Sequence, residues 1–141
     1  MNTKIPIWIN VLQVLLTLVM LQQTYMFYLN HQAVADSGIL IEGIPNLNLL
    51  YEFAGRTATM ALVSIFVLIS QNPRYFVVVL LMNLLREGQE TIINPLFPLA
   101  NAPMAPSGDF ALHVLIVAIE LWAFIAMLRI VRQLDETETK D

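Results

Sequence analysis

The sequence predicts an all-α integral membrane protein, a four-helix bundle with its N- and C-termini in the cytoplasm. Three observations indicate this class. Hydrophobic residues make up 57% of the 141 residues and charged residues only 13%, whereas about 25% of the residues in a soluble domain are charged. The apolar residues are gathered into four stretches of about 20 residues, the length that crosses a bilayer. The basic residues that flank these stretches all fall on one side if the chain crosses four times.

We predict helices at about residues 5–28, 49–70, 73–93 and 110–131, in one transmembrane domain that covers residues 1–141 and ends in an acidic tail, 134–141. A backbone in lipid must satisfy its own hydrogen bonds, so each stretch is expected to be helical. Asn72-Pro73-Arg74 predicts a tight turn in which Pro73 opens the third helix. We expect that helix to end at Asn94-Pro95, because prolines at positions 95, 98, 103 and 106 exclude regular helix before Gly108.

The first apolar stretch also has features of a cleaved signal peptide. Lys4 precedes it, and Ala33-Val34-Ala35 has the small-x-small pattern of a cleavage site. However, this pattern lies well beyond the end of the apolar run, and the run itself is long for a signal. We therefore expect the first stretch to be retained as a helix.

Orientation follows from lysine and arginine near the ends of the apolar stretches. Such residues occur at the N-terminus, in the second loop and at the C-terminus: Lys4, Arg74, Arg129, Arg132 and Lys140. The first and third loops have none and carry carboxylates instead. The charges therefore predict cytoplasmic termini and four crossings, the number that hydropathy also predicts. We expect a multi-pass protein of the cell membrane, with both termini on the cytoplasmic side.

Ionisable residues inside the apolar stretches are the candidate site, because each charge in mid-membrane costs at least about 2.5 kcal/mol. The candidate ligand-binding residues are Glu52 and Arg56 on the second helix, Arg86, Glu87 and Glu90 on the third, and His113 and Glu120 on the fourth. Their spacing gives each helix one polar face, and their depth places them in the outer half of the bundle. The pattern predicts a pocket, open to the outside, for a small polar or amphipathic ligand.

Other readings of these charges stay open. The pairs could instead lock the helices together without any ligand. The same cavity could belong to a membrane enzyme or redox subunit that acts on a quinone-like or lipid substrate, although no catalytic residue stands out and the balance is against an enzyme. A transporter or channel component is disfavoured, since the inner half has no continuous polar path.

Composition removes several classes of function and site. The chain has no cysteine, which excludes disulfides and thiolate metal sites. No basic cluster is present, so nucleic acid is not an expected partner. Glu87, Glu90, His113 and Glu120 could supply metal ligands, but the Glu-x-x-His pairs of di-iron bundles are absent. We therefore predict no metal site, and the sequence implies no particular cofactor. The expected partners are the lipid bilayer and a small ligand, with a homo-oligomer or a membrane partner subunit left open.

Four features of residues 48–128 carry a family resemblance. They are Glu52-x-x-x-Arg56 opening the second helix, the Asn72-Pro73-Arg74 turn, Leu85-Arg86-Glu87-Gly88 late in the third helix, and Glu120 in the fourth. This layout resembles the DoxX-like small four-span bacterial membrane proteins. The resemblance implies a four-span bundle in a bacterial membrane and a role in quinone- or thiol-related redox complexes. The lack of cysteine argues against a direct thiol role.

Overall fold

The computed structural model describes residues 4–102 and 104–139. These residues form five helices and no strand: α1 (Ile7–Leu29), α2 (His31–Asp36), α3 (Ile44–Ser70), α4 (Pro73–Leu96) and α5 (Pro106–Glu138). The all-helical prediction is thus confirmed for this part of the chain. Pro103, Lys140 and Asp141, on which parts of the loop, orientation and tail predictions rest, lie outside the described residues.

Three of the helices, α1, α3 and α5, are long and apolar enough to cross a membrane. The prediction of a membrane protein is confirmed at this level. Many large apolar side chains on these helices point outward, among them Leu62, Phe66 and Trp122. α4 has 24 residues but carries four charged residues, three of them in its second half.

The predicted turn between the second and third apolar stretches is confirmed. α3 ends at Ser70, and Gln71 follows in the left-handed conformation with φ 49°. The Asn72 side chain then accepts a hydrogen bond from the Arg74 N–H at 3.0 Å, with Pro73 as the first residue of α4. A proline fits there because the first helical N–H has no partner in the helix.

Several helix ends differ from the prediction. α3 begins at Ile44 rather than Leu49, after Gly43 turns the chain at φ 82°. α4 continues through Pro95 to Leu96, and the Phe97 N–H closes the last turn on the Ile93 carbonyl at 2.9 Å. The missing N–H of one proline near a helix end is therefore tolerated. The short helix α2 was not predicted; the Asn30 side chain caps it by accepting from the Ala33 N–H.

α5 begins at Pro106 and extends to Glu138, so much of the acidic tail is helical. Arg74 in the α3–α4 turn lies 2.8 Å from both Asp135 and Glu138. The hydrogen bonds with Asp135 and then Glu138 raise the pKa of the Arg74 guanidinium, which keeps its charge. The tail of α5 is thereby joined to the turn.

The long helices pack as two pairs, α1 with α3 and α4 with α5, with less contact between α3 and α4. We call the end of the bundle at the α3–α4 turn the turn end, and the opposite end the loop end. All four long helices meet in an apolar core near the turn end: Ile5, Ile9, Val67, Phe76, Val79, Leu80, Ala123 and Met127. Trp8 and Trp122 also meet near this end, with ring centroids 5.3 Å apart.

The two loops at the loop end contact each other. The Asn101 side-chain amide donates to the Asp36 carbonyl at 3.0 Å, and the Asn101 N–H donates to the Ser37 carbonyl at 3.4 Å. Gly38, at φ 91°, lies so close to Ala100 that a Cβ atom would sit 2.9 Å from the Ala100 Cβ. These contacts join the α1–α3 pair to the α4–α5 pair.

Candidate functional site

A group of charged side chains lies on the second half of α4. The Arg86 guanidinium donates through Nη1 to Glu90 Oε1 at 3.0 Å and through Nη2 to Glu87 Oε1. Only 14% of the Arg86 side chain and 6% of the Glu87 side chain are exposed. One arginine therefore bridges two carboxylates inside the bundle, as the spacing on α4 predicts.

α5 completes this group from the other side. His113 Nδ1 lies 2.9 Å from Glu87 Oε2. Its other nitrogen, Nε2, lies 3.1 Å from Asn94 Nδ2 and 3.6 Å from Asp109 Oδ1. Asn94 also donates to Asp109 Oδ2 at 3.1 Å. A continuous chain of polar contacts thus runs from the loop end inward. We call it the charged cluster: Arg86, Glu87, Glu90, Asn94, Asp109 and His113.

Glu120 lies deeper, seven residues after His113 on α5, which is about 10 Å along the helix. The residue is completely buried. Within the described residues, neither of its carboxylate oxygens has a hydrogen-bond partner. The charged groups that interact electrostatically with Glu120 are Glu87, Arg86 and Glu90. Glu120 is therefore next to the charged cluster but is not hydrogen-bonded into it.

Three uncharged polar side chains, those of Gln13, Ser64 and Asn83, are also buried in the middle of the bundle. Asn83 on α4 donates through Nδ2 to Gln13 Oε1 on α1 at 3.1 Å. The remaining polar atoms, Gln13 Nε2 and Asn83 Oδ1, have no partner among the described residues, nor has Ser64 Oγ on α3. We call Gln13, Ser64, Asn83 and Glu120 the polar layer. Each of the four long helices contributes one member.

The structure does not bring Glu52 and Arg56 to the charged cluster. Arg56 Nη2 lies 3.3 Å from Glu52 Oε2, so the two residues share a face of α3 as their spacing predicts. That face turns outward, and 76% of the Arg56 side chain and 53% of the Glu52 side chain are exposed. Of the predicted site residues, Arg86, Glu87, Glu90 and His113 form one cluster, and Glu120 lies beside it.

A groove of about 590 Å³ separates α3 from α4. Its walls are apolar side chains of both helices: Phe53, Met60, Val78, Leu81, Met82, Leu85 and Ile93. Arg86, Gln89 and Glu90 line the same groove. The guanidinium that holds the two carboxylates is therefore also part of the groove wall.

A second, smaller cavity of about 120 Å³ lies at the loop end. Asn94 and Asp109 line it together with the proline-rich segment that follows α4, including Phe97, Pro98 and Pro106. The charged cluster thus touches one cavity through Arg86 and another through Asp109.

Three groups of the charged cluster could hold a metal ion. Ligand atoms of Glu87, Glu90 and His113 lie within 4.8 Å of one another. However, Arg86 already bridges the two carboxylates, and His113 Nδ1 faces Glu87 within hydrogen-bonding distance. A metal would have to displace both interactions, so the observed contacts favour a hydrogen-bonded network.

Sequence reasoning left Asn94, Asp109, Gln13 and Asn83 outside the candidate site. The spacing of Asp109 and His113, and of Glu90 and Asn94, would have placed the first two beside the cluster. The Gln13–Asn83 contact joins α1 to α4 across 70 positions of sequence. Polar stripes on the two helices are visible in the sequence, but the pairing of these two residues is not.

Comparisons with protein-family models, curated proteins and solved structures find no match for this chain.

Proposed function

We propose that this protein spans the membrane four times and binds a small amphipathic ligand in the groove between α3 and α4. The observation that carries the proposal is the groove itself, whose apolar walls lead to Arg86 and Glu90. An amphipathic molecule needs both an apolar channel for its chain and polar partners for its head group. The groove offers the two side by side.

The chemistry of Arg86 favours a head group with oxygen acceptors. Arg86 Nη1 and Nη2 each bond a carboxylate, while its Nε is buried without a partner in the part of the chain that the structure describes. Guanidinium N–H groups donate hydrogen bonds to carbonyl, carboxylate and phosphate oxygens, and with the last two these bonds are often bidentate. Gln89 and Glu90 add further polar atoms at the same place.

Four crossings are supported by the position of α4 in the bundle. Phe76, Val79 and Leu80 of α4 lie in the core that all four long helices share. Of its charges, Glu87 meets His113 of α5, and Arg86 pairs with both Glu87 and Glu90. A helix with three charges in its second half can lie in a bilayer when those charges pair with one another and with a partner helix.

The orientation is supported by the charges at the two ends. Lys4, Arg74, Arg129 and Arg132 flank the turn end, and Asp36, Glu42 and Asp109 lie at the loop end. The positive-inside rule then favours a cytoplasmic turn end, with both termini inside a bacterial cytoplasmic membrane. This arrangement is the one that a DoxX-like architecture implies.

The preferred role is ligand binding or an accessory subunit. Transport is disfavoured because apolar side chains close the turn end, among them Phe76, Leu80 and Met127. One observation favours a redox subunit as the second candidate. Two carboxylates, Glu87 and Glu90, lie beside Arg86, and His113 contacts the first of them, so a quinone-like carbonyl held there would have proton donors nearby.

The test compares two leucine-to-tryptophan variants with the wild type. Leu85 lines the groove and is 58% exposed, whereas Leu115 on α5 is 57% exposed and does not line it. Each protein is purified in the same nonionic detergent, and bound small molecules are identified by mass spectrometry. We expect an amphipathic molecule to be enriched with wild type and Leu115→Trp and to be lost from Leu85→Trp.

Equal recovery of the same molecules from both variants would contradict the proposed groove. So would the absence of any enriched molecule from the wild type. Circular dichroism of the three proteins confirms that the comparison is made between folded chains.

A further inference from the structure

We propose that Glu120 is a buried proton-binding group, and that protons reach it from the loop end through Asp109, His113 and Glu87. This inference needs no ligand in the α3–α4 groove. It concerns the side of the charged cluster that faces away from that groove.

Glu120 is buried where an ionised carboxylate is unfavourable. An ionised carboxylate that is removed from water without a partner is strongly unfavourable, and such a group takes up a proton instead. Glu120 has no exposed surface, and among residues 4–102 and 104–139 neither of its oxygens has a partner. Other buried polar side chains in the middle of the bundle, Gln13, Ser64 and Asn83, are uncharged and cannot neutralise a carboxylate.

The charge balance around Glu120 supports the same conclusion. α1 contains no aspartate, glutamate, histidine, lysine or arginine, and the charged residues of α3, Glu52 and Arg56, are paired and exposed. The groups that face Glu120 are therefore those of α4 and α5. Within the charged cluster, Arg86 is the cation that pairs with both Glu87 and Glu90, and Asp109 lies at the partly exposed end of the cluster. A charged Glu120 would add a carboxylate with no cation left to balance it.

The imidazole ring of His113 connects Asp109 with Glu87 on the proposed route. Nδ1 faces Glu87 at 2.9 Å and Nε2 faces Asp109 at 3.6 Å, so the imidazole lies between two carboxylates. Exposure of the side chains falls along this line, from 30% for Asp109 to 13% for His113 and 6% for Glu87. A histidine can accept a proton on one nitrogen and release one from the other.

The transfer balances at each step. A proton from Asp109 adds to His113 Nε2, and the proton on Nδ1 passes to Glu87 Oε2. Glu87 then passes a proton to Glu120, which becomes a neutral acid. Asn83 lies one helical turn below Glu87 on the same face of α4. Its Oδ1 is buried and has no hydrogen-bond partner among the described residues, so it offers a polar acceptor below Glu87.

Infrared spectroscopy of the protein in lipid nanodiscs tests the proton on Glu120. A protonated carboxylic acid has a C=O stretch apart from the amide bands, and the band shifts in D2O. We expect Glu120→Gln to remove one such band at neutral pH, while Glu52→Gln, an exposed control, leaves it in place. A spectrum that Glu120→Gln does not change would overturn the assignment. So would a band that appears only when Na⁺ or K⁺ is removed, since Glu120 would then bind a cation.

The rate at which that band shifts after transfer to D2O tests the route. Positioned acid–base groups accelerate proton transfer by about 10²-fold or more, so His113→Gln and Asp109→Asn are expected to slow the shift on that scale and to keep the band itself. Unchanged exchange in both variants would overturn the route through Asp109 and His113. The amide I band of each sample reports whether the helices are intact.

Discussion

His113 Nδ1 on α5 lies 2.9 Å from Glu87 Oε2 on α4, and this contact joins the two most closely packed helices of the bundle. Each residue also has a second partner. Glu87 accepts from Arg86 through its other oxygen, and His113 faces Asn94 and Asp109 through its other nitrogen. Removing one residue therefore leaves buried polar atoms without partners on both helices.

Replacement of His113 by alanine is expected to destabilise the protein. Glu87 Oε2 would lose its partner in a buried position, which typically costs about 1–3 kcal/mol. Thermal unfolding in detergent, followed by circular dichroism, measures the change. His31→Ala is the matched control, because His31 lies beside the Tyr51 ring and its buried Nε2 has no hydrogen-bond partner among the described residues. Equal effects of the two substitutions would contradict a structural role for the His113–Glu87 contact.

The two arginines in i,i+4 pairs on α3 and α4 allow a direct comparison. Arg86→Gln leaves Glu87 and Glu90 without their shared cation, and breaking a buried pair costs about 3–5 kcal/mol. Arg56→Gln removes an exposed partner, for which about 0–1 kcal/mol is typical. Chemical or thermal unfolding of both variants gives the difference. If Arg56→Gln proves the more damaging change, an additional contact of Arg56, such as one with another subunit, is indicated.

Accessibility of single cysteines tests the four crossings. The natural chain has no cysteine, so each introduced thiol is the only one. In intact cells we expect a membrane-impermeant maleimide to label Ala35→Cys and Ala102→Cys, both at the loop end. Gln71→Cys and Thr139→Cys at the turn end should react only after the cells are opened. Labelling of Thr139→Cys in intact cells would exclude an even number of crossings with a cytoplasmic N-terminus.

Two glycine-to-alanine substitutions are expected to change the stability of the fold in opposite directions. Gly88 lies within α4, and a Cβ atom there would meet nothing within 4 Å. Gly88→Ala should stabilise the helix by about 0.5–1 kcal/mol. Gly38 has φ 91° and approaches Ala100, so Gly38→Ala adds a strain of roughly 1–2 kcal/mol and a steric clash. Melting temperatures should rise for the first variant and fall for the second. A melting temperature that also rises for Gly38→Ala would show that the two loops are not held together at the loop end.

Spacing along a helix predicted much of the site. Arg86, Glu87 and Glu90 are near neighbours on α4, so any rotation that buries Glu87 also brings Arg86 and Glu90 to the same region. The direction of the face on α3 could not be predicted in this way. Glu52 and Arg56 share a face whether that face points inward or outward, and its direction depends on which side of α3 packs on α1.

Helix ends were less predictable than helices. Pro95 was expected to stop α4, but its missing N–H falls where the helix is about to end, and Leu96 follows it as the last helical residue. The acidic residues after Gln133 gave no reason to extend α5. Their helix is stabilised by Arg74, which lies 61 positions away from Asp135 in sequence and cannot be assigned to it by local pattern.

The uneven distribution of charge among the helices has a consequence for biosynthesis. In a four-span arrangement, α4 would have to enter the bilayer with Arg86, Glu87 and Glu90, and such residues cost about 2.5–3.5 kcal/mol each on insertion scales. α5 supplies both the His113 partner and a strongly apolar surface. A nascent chain that ends before α5 should therefore leave α4 outside the lipid. Integration of α4 would then wait for translation of α5, and the two helices would enter the membrane as a unit.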